Sequence, residues 1–331
     1  MAEKVTLFAV AERAGVSIAT VSRVVNGLTT NGPTEEKIKR AIDELGYEPN
    51  SAARALRVNA SEQICLALPD LNNPVYQAMT RGVQRGFKLS KYRLMLSPSL
   101  STTEEVILQL KSLGRNYADG VILSTLVFDE EIEKILSTLR IPIVLVGGAI
   151  DRPKYDNIRV DSERGVGMAV DYFFSAGRKK ILFLNGPWIT NPAKRRKEGF
   201  LESMRSHQIK NPENYIANAK AFNPKAAVEE LSGIKKLNQF SAILCANDLL
   251  AAGAIKFLAG RKIKVPDDIA VIGIDNTDLA GLLTPTLTSV DFKAEYRGEL
   301  AAKYLLERLE NPNLPIKKTI IEPELIIRES A

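Results

Sequence analysis

The segment from Val16 to Gly27 constrains the fold of this 331-residue chain more than any other stretch. Ser17 can begin a helix there, because its hydroxyl can accept a hydrogen bond from a first-turn amide that has no carbonyl partner. At about 3.6 residues per turn, valines share one face and small or polar side chains share the other. The outer face comprises Ala19, Ser22, Arg23 and Asn26. This pattern predicts a short helix that docks by its valines and presents a polar face to a groove.

Apolar residues at helical spacing also occur on both sides of this segment. They are Leu7, Val10, Ala11 and Ala14 upstream, and Ile38, Ala41, Ile42 and Leu45 downstream. Thr6 and Asn31 can cap these two helices, and Gly15 allows a tight turn before the middle helix. Each helix alone could be an ordinary core helix. Together, the short turn and the polar outer face favour a DNA-binding helix-turn-helix with a third helix closing its core.

These residues resemble the headpiece of the lactose/galactose repressor family of bacterial transcription regulators. The resemblance rests on 5–7, 10–11, 14–17, 20–26 and 45–50, and it departs from the family pattern at 28–34. Arg23 is suited to read guanine through two hydrogen bonds, and Ile18 and Ala19 can contact bases through apolar atoms. The side chains expected to position the headpiece on phosphates are Thr6, Ser17, Thr20, Ser22, Asn26 and Tyr47.

A short helix-favouring segment follows between 51 and 60. It has only about two turns, and such helices are marginal alone because nucleation is costly. The resemblance implies a hinge helix that orders on DNA and a symmetry mate, with contacts from Asn50, Ala53 and Leu56. The local placement of Arg57 adds a further expected DNA contact. Leu56 would insert into the minor groove and bend the duplex. The alternative is that Leu56 is a linker residue packed on the next domain.

From Glu62 onward, apolar runs alternate with helical stretches, which predicts parallel sheets. The runs are Ile64–Leu68, Arg93–Leu96, Gly120–Leu123, Ile143–Val146, Ile181–Leu184, Ala242–Cys245 and Ile269–Ile272. The fold class is therefore an all-α helix-turn-helix headpiece followed by an α/β core of two doubly wound parallel-sheet lobes. The resemblance implies a core like that of periplasmic sugar-binding proteins. The expected domains are a headpiece at 1–50, a hinge and linker at 51–60, and a core at 61–331 with lobe crossings near 161, 291 and 321.

Polar residues at the ends of the apolar runs suggest a ligand cleft, since ligands of such sheets bind at the carboxyl ends of strands. Asp161, Asn247 and Asp275 occupy such positions. The resemblance implies that Tyr76, Thr190, Arg196 and Phe222 also bind or select an effector. Asn247 and Asp275 could instead cap or turn the chain, and Tyr76 and Phe222 could be core residues. Arg196 would need a partner for a buried charge, either Asp275 or the ligand.

The formal net charge of +6 gives little support for DNA binding. Residues 1–60 contain eight basic and seven acidic side chains, so the headpiece itself is only +1. DNA binding therefore rests on the motif and on the placement of a few arginines. Cys65 and Cys245 lie in apolar runs and are expected to be buried thiols. The chain has no apolar run of signal or membrane length, which predicts a cytoplasmic protein without a membrane partner.

No catalytic, metal-binding or cofactor-binding motif occurs in the sequence, and the prediction is that the protein is not an enzyme. The one histidine, His207, lies at a polar helix end, where a solvated side chain is expected. The predicted function is that of a homodimeric transcription regulator, in such families most often a repressor. Its partners would be a near-palindromic operator and a small effector, by family a carbohydrate, with a nucleoside or purine as the other option. The alternative is a sugar- or nucleoside-binding α/β protein, or a glycoside-active enzyme using the same cleft.

Overall fold

A computed structural model describes residues 5–25, 27, 31–48, 60–97, 102–113, 117–147 and 154–331. The chain divides into two compact units, 1–61 and 62–331, and each is described by itself. Five of the predicted DNA-contacting residues lie outside the described ranges. They are Asn26, Asn50, Ala53, Leu56 and Arg57.

The described part of the first unit contains three helices, α1 (Leu7–Ala14), α2 (Ile18–Val25) and α3 (Gly32–Leu45). The hydroxyl of Thr6 accepts a hydrogen bond from the amide of Ala9 at 3.3 Å. The hydroxyl of Ser17 accepts one from the amide of Thr20 at 3.2 Å. Gly15 ends α1 in the left-handed region, with φ of 67°, which a residue without a Cβ adopts at low cost. The two predicted caps and the turn are therefore confirmed.

The predicted cap at Asn31 is wrong, because its side chain makes no capping hydrogen bond. A capping side chain bonds to the second or third amide of the helix. Pro33 occupies the second position and has no amide hydrogen. The third amide, that of Thr34, donates instead to the backbone carbonyl of Asn31 at 3.0 Å.

One small apolar core holds the three helices together, as the helical spacing predicts. Its buried members are Val10, Ala11, Val21, Ile38 and Ala41. Each helix contributes at least one of these side chains, and burial of apolar surface is the main source of stability for helices this short.

The second unit contains two six-stranded sheets. The first consists of β1 (Gln63–Ala67), β2 (Arg93–Ser97), β3 (Gly120–Leu123), β4 (Ile143–Val146), β5 (Asp156–Val160) and β11 (Lys318–Ile321). The second consists of β6 (Ile181–Asn185), β7 (Ile216–Asn218), β8 (Ala242–Cys245), β9 (Ala270–Ile274), β10 (Thr288–Asp291) and β12 (Glu324–Ile326). The strand orders are β11-β5-β4-β3-β1-β2 and β12-β10-β9-β8-β6-β7. All pairs are parallel except β10 with β12.

Helices cover both sheets, as expected for doubly wound folds. They are α4 (Pro74–Phe87), α5 (Thr103–Leu113), α6 (Glu130–Leu136), α7 (Ser162–Ser175), α8 (Asn191–Ser206), α9 (Pro224–Ser232), α10 (Asp248–Gly260), α11 (Asp278–Leu282) and α12 (Ala294–Glu310). Two short 3-10 helices lie at Pro212–Tyr215 and Leu237–Gln239. The chain passes from the first sheet to the second after β5, returns through α12 after β10, and crosses again between β11 and β12.

All seven predicted strands are present within a residue or two of their predicted bounds, and five more accompany them. The five are β5, β7, β10, β11 and β12. Their sequences include polar residues, as in the Asp-Asn-Ile-Arg-Val of β5, so they do not form the continuous apolar run that marks a buried strand. Three of them, β7, β11 and β12, lie at sheet edges, where one side of the strand needs no apolar cover.

Helices α4 and α12 pack backbone against backbone through glycines. A Cβ atom added to Gly82 of α4 would lie 1.9 Å from the carbonyl oxygen of Glu295. One added to Gly298 of α12 would lie 2.2 Å from the carbonyl oxygen of Met79. Only hydrogen side chains allow this approach, which fixes the position of α12 in the first lobe.

Candidate functional site

A cavity of about 100 Å³ opens between the two lobes of the second unit. Its lining comes from segments that follow the carboxyl ends of β3, β4 and β5 in the first sheet and of β8, β9 and β10 in the second. Side chains from α4, α8 and α12 complete it. Parallel sheets place ligand sites at this end of their strands, and a cavity of this volume has room for several water molecules.

Five of the seven predicted effector-binding residues line this cavity. They are Tyr76, Arg196, Phe222, Asn247 and Asp275. These residues come from separate helices and loops spread over about 200 positions of sequence, and the fold brings them together.

The other two predicted residues, Asp161 and Thr190, are not among the residues that line the cavity. Each one begins a helix, and its side chain is directed at the amides of that helix. Asp161 Oδ1 accepts a hydrogen bond from the amide of Arg164 at 3.1 Å. Thr190 Oγ1 donates to the carbonyl of Pro187 at 2.8 Å and accepts from the amide of Ala193 at 3.4 Å. Both side chains therefore bond within the first turn of a helix and neither lines the cavity, although Ser162, beside Asp161, does.

Arg196 is the centre of the polar wall. Its side chain is buried, and Nη1 donates to the carbonyl of Ala246 at 2.6 Å. Nη2 lies 3.7 Å from Asp275 Oδ1, which is an ion pair and too long for a hydrogen bond. The guanidinium also lies 6.0 Å from the ring centre of Phe222 and 5.4 Å from that of Phe292. Asp275, one of the two partners expected for the buried charge of Arg196, therefore pairs with it at a distance longer than a hydrogen bond.

Burial shifts the ionisation of this wall. It raises the pKa of Asp275 to about 6, although the charges of Arg196 and Arg297 oppose the shift. It also lowers the pKa of both arginines and raises that of Tyr76. Low local polarity strengthens any charged contact that a ligand makes there.

Asn247 both caps a helix and lines the cavity, so the two roles weighed from sequence coexist. Its Oδ1 accepts a hydrogen bond from the amide of Leu250 at 2.8 Å. This bond occupies the side-chain oxygen of Asn247 and leaves its side-chain nitrogen as a hydrogen-bond donor. Asp275 follows β9 with φ of +107°, a conformation that non-glycine residues rarely adopt, and Asn276 follows at +47°. Such strain is typical of functional sites held by the surrounding structure.

Behind the cavity wall, Asp248 joins three segments through one buried carboxylate. It accepts hydrogen bonds from the amide and the hydroxyl of Thr277, at 2.7 Å and 2.9 Å. It accepts a third from the hydroxyl of Ser289 at 2.6 Å. Burial and the nearby charge of Asp275 raise the pKa of Asp248 from 3.8 to about 7, although these hydrogen bonds oppose the shift.

The raised pKa of Asp248 makes stability fall as pH rises towards neutrality. Between about pH 4 and pH 7, the Asp248 carboxyl carries a proton in the folded state but not in the unfolded state. The stability present at low pH is therefore lost as pH rises through about 7. We expect Asp248→Asn to flatten the dependence of the unfolding free energy on pH by a few kcal/mol, measured by urea denaturation between about pH 5 and pH 8. The exposed Asp267→Asn is the control; a wild-type slope in Asp248→Asn contradicts the assignment.

Sequence reasoning missed several residues of the cavity, of which Arg297 is the most informative. The buried face of α12 consists of small and apolar residues, namely Ala294, Gly298, Ala301, Ala302 and Leu305. Arg297 lies on that same face and is 8% exposed. A lone arginine in a buried helical stripe is the signal that could have revealed it. Arg159, Asn191, Arg195 and Phe292 also line the cavity without having been predicted.

The described part of α2 has the polar outer face that the sequence predicts. Ile18, Ala19 and Arg23 are exposed, whereas Val21 is fully buried. Ser17 and Thr20 share a hydrogen bond of 2.8 Å between their hydroxyls, and Thr6 is exposed at the start of α1. Tyr47 packs partly against the headpiece core, which fixes its ring at the end of α3.

The remaining reactive residues have structural surroundings. Both cysteines are buried free thiols, as predicted, and burial raises the pKa of Cys65 to about 12. His207 ends α8, as predicted, but it is not simply solvated: its ring stacks on Phe174 at 3.9 Å and Nε2 lies 2.7 Å from Asp171 Oδ1. In the described ranges, no cluster of three or more potential metal ligands occurs. No helix within those ranges is long and apolar enough to cross a membrane.

A helix-turn-helix unit followed in sequence by a two-lobed α/β unit with a polar interlobe cavity defines the class of ligand-responsive DNA-binding regulators. Residues 6–50 match the family of bacterial regulatory proteins called the lacI family, and residues 170–331 match a periplasmic binding protein-like domain. The repressor PurR of Photobacterium profundum is 30% identical, over 98% of both chains. The ribose operon repressor of Escherichia coli K12 is 30% identical, over 98% of this chain and 99% of the repressor.

Solved structures agree with this assignment of fold. The Lac repressor dimer bound to operator and the anti-inducer ONPF superimposes with a TM-score of 0.88, at 24% identity and 99% coverage of both chains. The regulator CelR in complex with cellobiose gives a TM-score of 0.75, at 26% identity, over 99% of this chain and 100% of CelR. The chain belongs to the lacI family of bacterial regulatory proteins. It is a DNA-binding transcription regulator and not an enzyme, and the predicted fold class is confirmed.

Proposed function

We propose that this regulator is a cytoplasmic homodimeric repressor whose affinity for a near-palindromic operator is set by a carbohydrate effector in the interlobe cavity. The headpiece at 1–50 would read the operator, the segment 51–60 would act as the hinge, and the core at 61–331 would bind the effector and dimerise. DNA contacts would come from Thr6, Ser17, Ile18, Ala19, Thr20, Ser22, Arg23, Asn26, Tyr47, Asn50, Ala53, Leu56 and Arg57. The effector would contact Tyr76, Arg196, Phe222, Asn247 and Asp275.

The observation that carries the effector proposal is the composition of the cavity wall. Tyr76 and Phe222 supply aromatic surface, which covers the apolar face of a flat ring. Arg196, Asn247 and Asp275 supply donors and an acceptor at the same wall, which suits adjacent hydroxyl groups. Two of the similar proteins have names that mention a sugar, ribose and cellobiose.

Control by the effector follows from where the cavity lies. Its wall includes residues of both lobes, such as Tyr76 from one and Phe222 from the other, so a ligand that contacts both binds one closure of the lobes more tightly than another. By linkage, the factor by which effector changes operator affinity equals the factor by which operator changes effector affinity. A hinge of about two helical turns would be sensitive to small shifts of the core because its own stability is marginal.

The test measures operator and effector binding separately. Fluorescence anisotropy with a pool of near-palindromic duplexes, over a salt series, selects the operator and reports counterion release. Effector binding itself is measured by isothermal titration calorimetry, which needs no reporter group near the cavity. Each sugar or nucleoside of a panel is titrated by both methods.

We expect steep, salt-dependent, sequence-selective DNA binding that one ligand changes by about 5-fold to 150-fold. Asp275→Asn should weaken binding of that ligand and leave operator binding in the absence of ligand unchanged. The exposed Asp267→Asn is the matched control. If a nucleoside or purine is the ligand that changes operator binding, the proposal that the effector is a carbohydrate is wrong. Sequence-blind DNA binding under every ligand would overturn the proposed regulation.

A further inference from the structure

The charged residues around the interlobe cavity are unevenly balanced. Four arginines are among the described lining residues, and one carboxylate, that of Asp275, faces them. Arg195 has its own partner, because its Nη1 lies 2.8 Å from Glu163 Oε1. Of the other three, Arg196 and Arg297 lie near Asp275, and the charges of Asp248 and Asp291 act on them from behind the lining. Among the residues that line the cavity itself, positive side chains therefore outnumber negative ones.

Two of these guanidinium groups are buried and incompletely bonded. Arg196 and Arg297 are each 8% exposed. The Nε atom of each is buried and has no hydrogen-bond partner within the described part of the chain. Arg196 is bonded to a backbone carbonyl and stands 3.7 Å from Asp275, so one carboxylate does not satisfy both groups. Buried cations without acceptors are costly, and proteins retain them mainly where something else supplies the acceptor.

The two arginines reach the cavity from opposite lobes. Arg196 lies on α8, which packs on the second lobe, and Arg297 lies on α12, which packs against α4 in the first. A planar guanidinium binds the paired oxygens of a carboxylate or phosphate through two parallel hydrogen bonds. An anion held by both arginines would join the two lobes at the point where effector binding is proposed.

We propose that the effector is an acidic small molecule, a monosaccharide-sized compound with a carboxylate or phosphate group that Arg297 and Arg196 bind. This inference rests on the proposed function, because it specifies the ligand of the same cavity. Asp275 would then accept a hydroxyl of the ligand and limit the surplus charge, while Tyr76 and Phe222 would cover its apolar face. The acid would supply acceptors to guanidinium groups whose positive charge the cavity lining itself pairs only in part.

The first test uses inorganic phosphate as the probe on the full-length protein. Phosphate at millimolar concentration is expected to raise the thermal unfolding midpoint above that in sodium chloride of equal ionic strength, since a ligand of the folded state stabilises it. Arg297→Gln should weaken phosphate binding by about 10-fold to 100-fold, as expected for the loss of a charge-assisted hydrogen-bond pair. Arg195→Gln, which removes a positive charge of the same cavity that already has a partner, should weaken it less than about 3-fold.

The second test needs no variant and distinguishes the two acids. Isothermal titration compares glucose with glucuronate and with glucose 6-phosphate, and galactose with galacturonate, on the wild-type protein. We expect an acidic member to bind at least about 10-fold more tightly than its neutral parent, and whichever acid binds identifies the group. Arg297→Gln should remove this preference for the acid and leave the affinity for the neutral sugar within about 3-fold of the wild-type value.

Three results would overturn the inference. They are an absence of phosphate binding by the wild-type protein, equal losses in Arg297→Gln and Arg195→Gln, and a neutral sugar that binds as tightly as its acid. In the last case a neutral sugar that also changes operator binding leaves the proposed function intact and removes only the acidic effector. If no ligand of either kind changes operator binding, the proposed function itself fails.

Discussion

Replacing Arg23 with alanine is expected to lower operator affinity by about 30-fold to 10⁴-fold while changing binding to unrelated DNA little. Arg23 is exposed on α2, on the face opposite buried Val21. An arginine bonded to two acceptors of a guanine contributes about 1–3 kcal/mol of discrimination. A homodimer on two half-sites makes that contact twice, so the loss doubles to about 2–6 kcal/mol.

The measurement is anisotropy at one fixed salt concentration, with the selected operator and with a duplex whose half-sites are scrambled. The matched control is Lys39→Ala, which removes one positive charge from α3, where the ammonium group pairs with Glu35 at 2.8 Å. Lys39→Ala should change the affinity of the protein for each of the two duplexes by less than about 3-fold. If Arg23→Ala weakens both duplexes equally, Arg23 contacts phosphate and reads no base.

Gly82→Ala is expected to destabilise the protein by about 3 kcal/mol or more, a large value for the addition of one methyl group. The new Cβ would lie 1.9 Å from the carbonyl oxygen of Glu295 and 2.9 Å from the amide nitrogen of Glu299, both backbone atoms of α12. Backbone atoms cannot rotate away as a flexible side chain does, so α4 and α12 must separate. The gain in helix propensity from glycine to alanine, about 1 kcal/mol, is too small to offset this.

Urea denaturation of the free protein measures the effect, and Gly260→Ala is the matched control. Gly260 also lies in a helix, α10, and a Cβ added there meets no atom within 4 Å. This control should be neutral or more stable by up to about 1 kcal/mol. A Gly82→Ala protein as stable as the Gly260→Ala protein would show that α4 and α12 are not tightly packed. Since Arg297 lies on α12, we also expect Gly82→Ala to weaken binding of any effector held by that arginine.

Much of the architecture could be read from local patterns. Caps and turns depend on side chains within a few residues of the backbone groups that they bond, which is why Thr6, Ser17 and Gly15 were assigned correctly. The predicted cap at Asn31 was wrong because Pro33, two residues later, lacks the amide hydrogen that a capping side chain accepts. Strands with mainly apolar runs were predicted, including β2 at a sheet edge, whereas strands that carry several polar residues were not, including the buried interior strands β5 and β10.

The cavity shows the limit of such reasoning. Asp161 and Asn247 both follow a strand and precede a helix, and both cap that helix. Only Asn247 also lines the cavity. The sequence does not distinguish these two positions, because the difference depends on how each loop faces the opposite lobe. Arg297 was missed because an arginine on a helix is usually exposed to solvent, and its burial depends on how the folded chain packs around α12.

By itself, the sequence determined the helix-turn-helix, the strand and helix alternation, and the residue types of a polar cleft, since all of these follow from hydrogen bonding and burial within short segments. Tertiary structure alone decided which polar groups meet. It brought Arg196, Asp275 and Arg297 to one cavity from helices and loops that span about 100 positions of sequence. The physical reason is that the charge balance of a cavity depends on distances and burial, and these are set by long-range packing such as the glycine contact between α4 and α12.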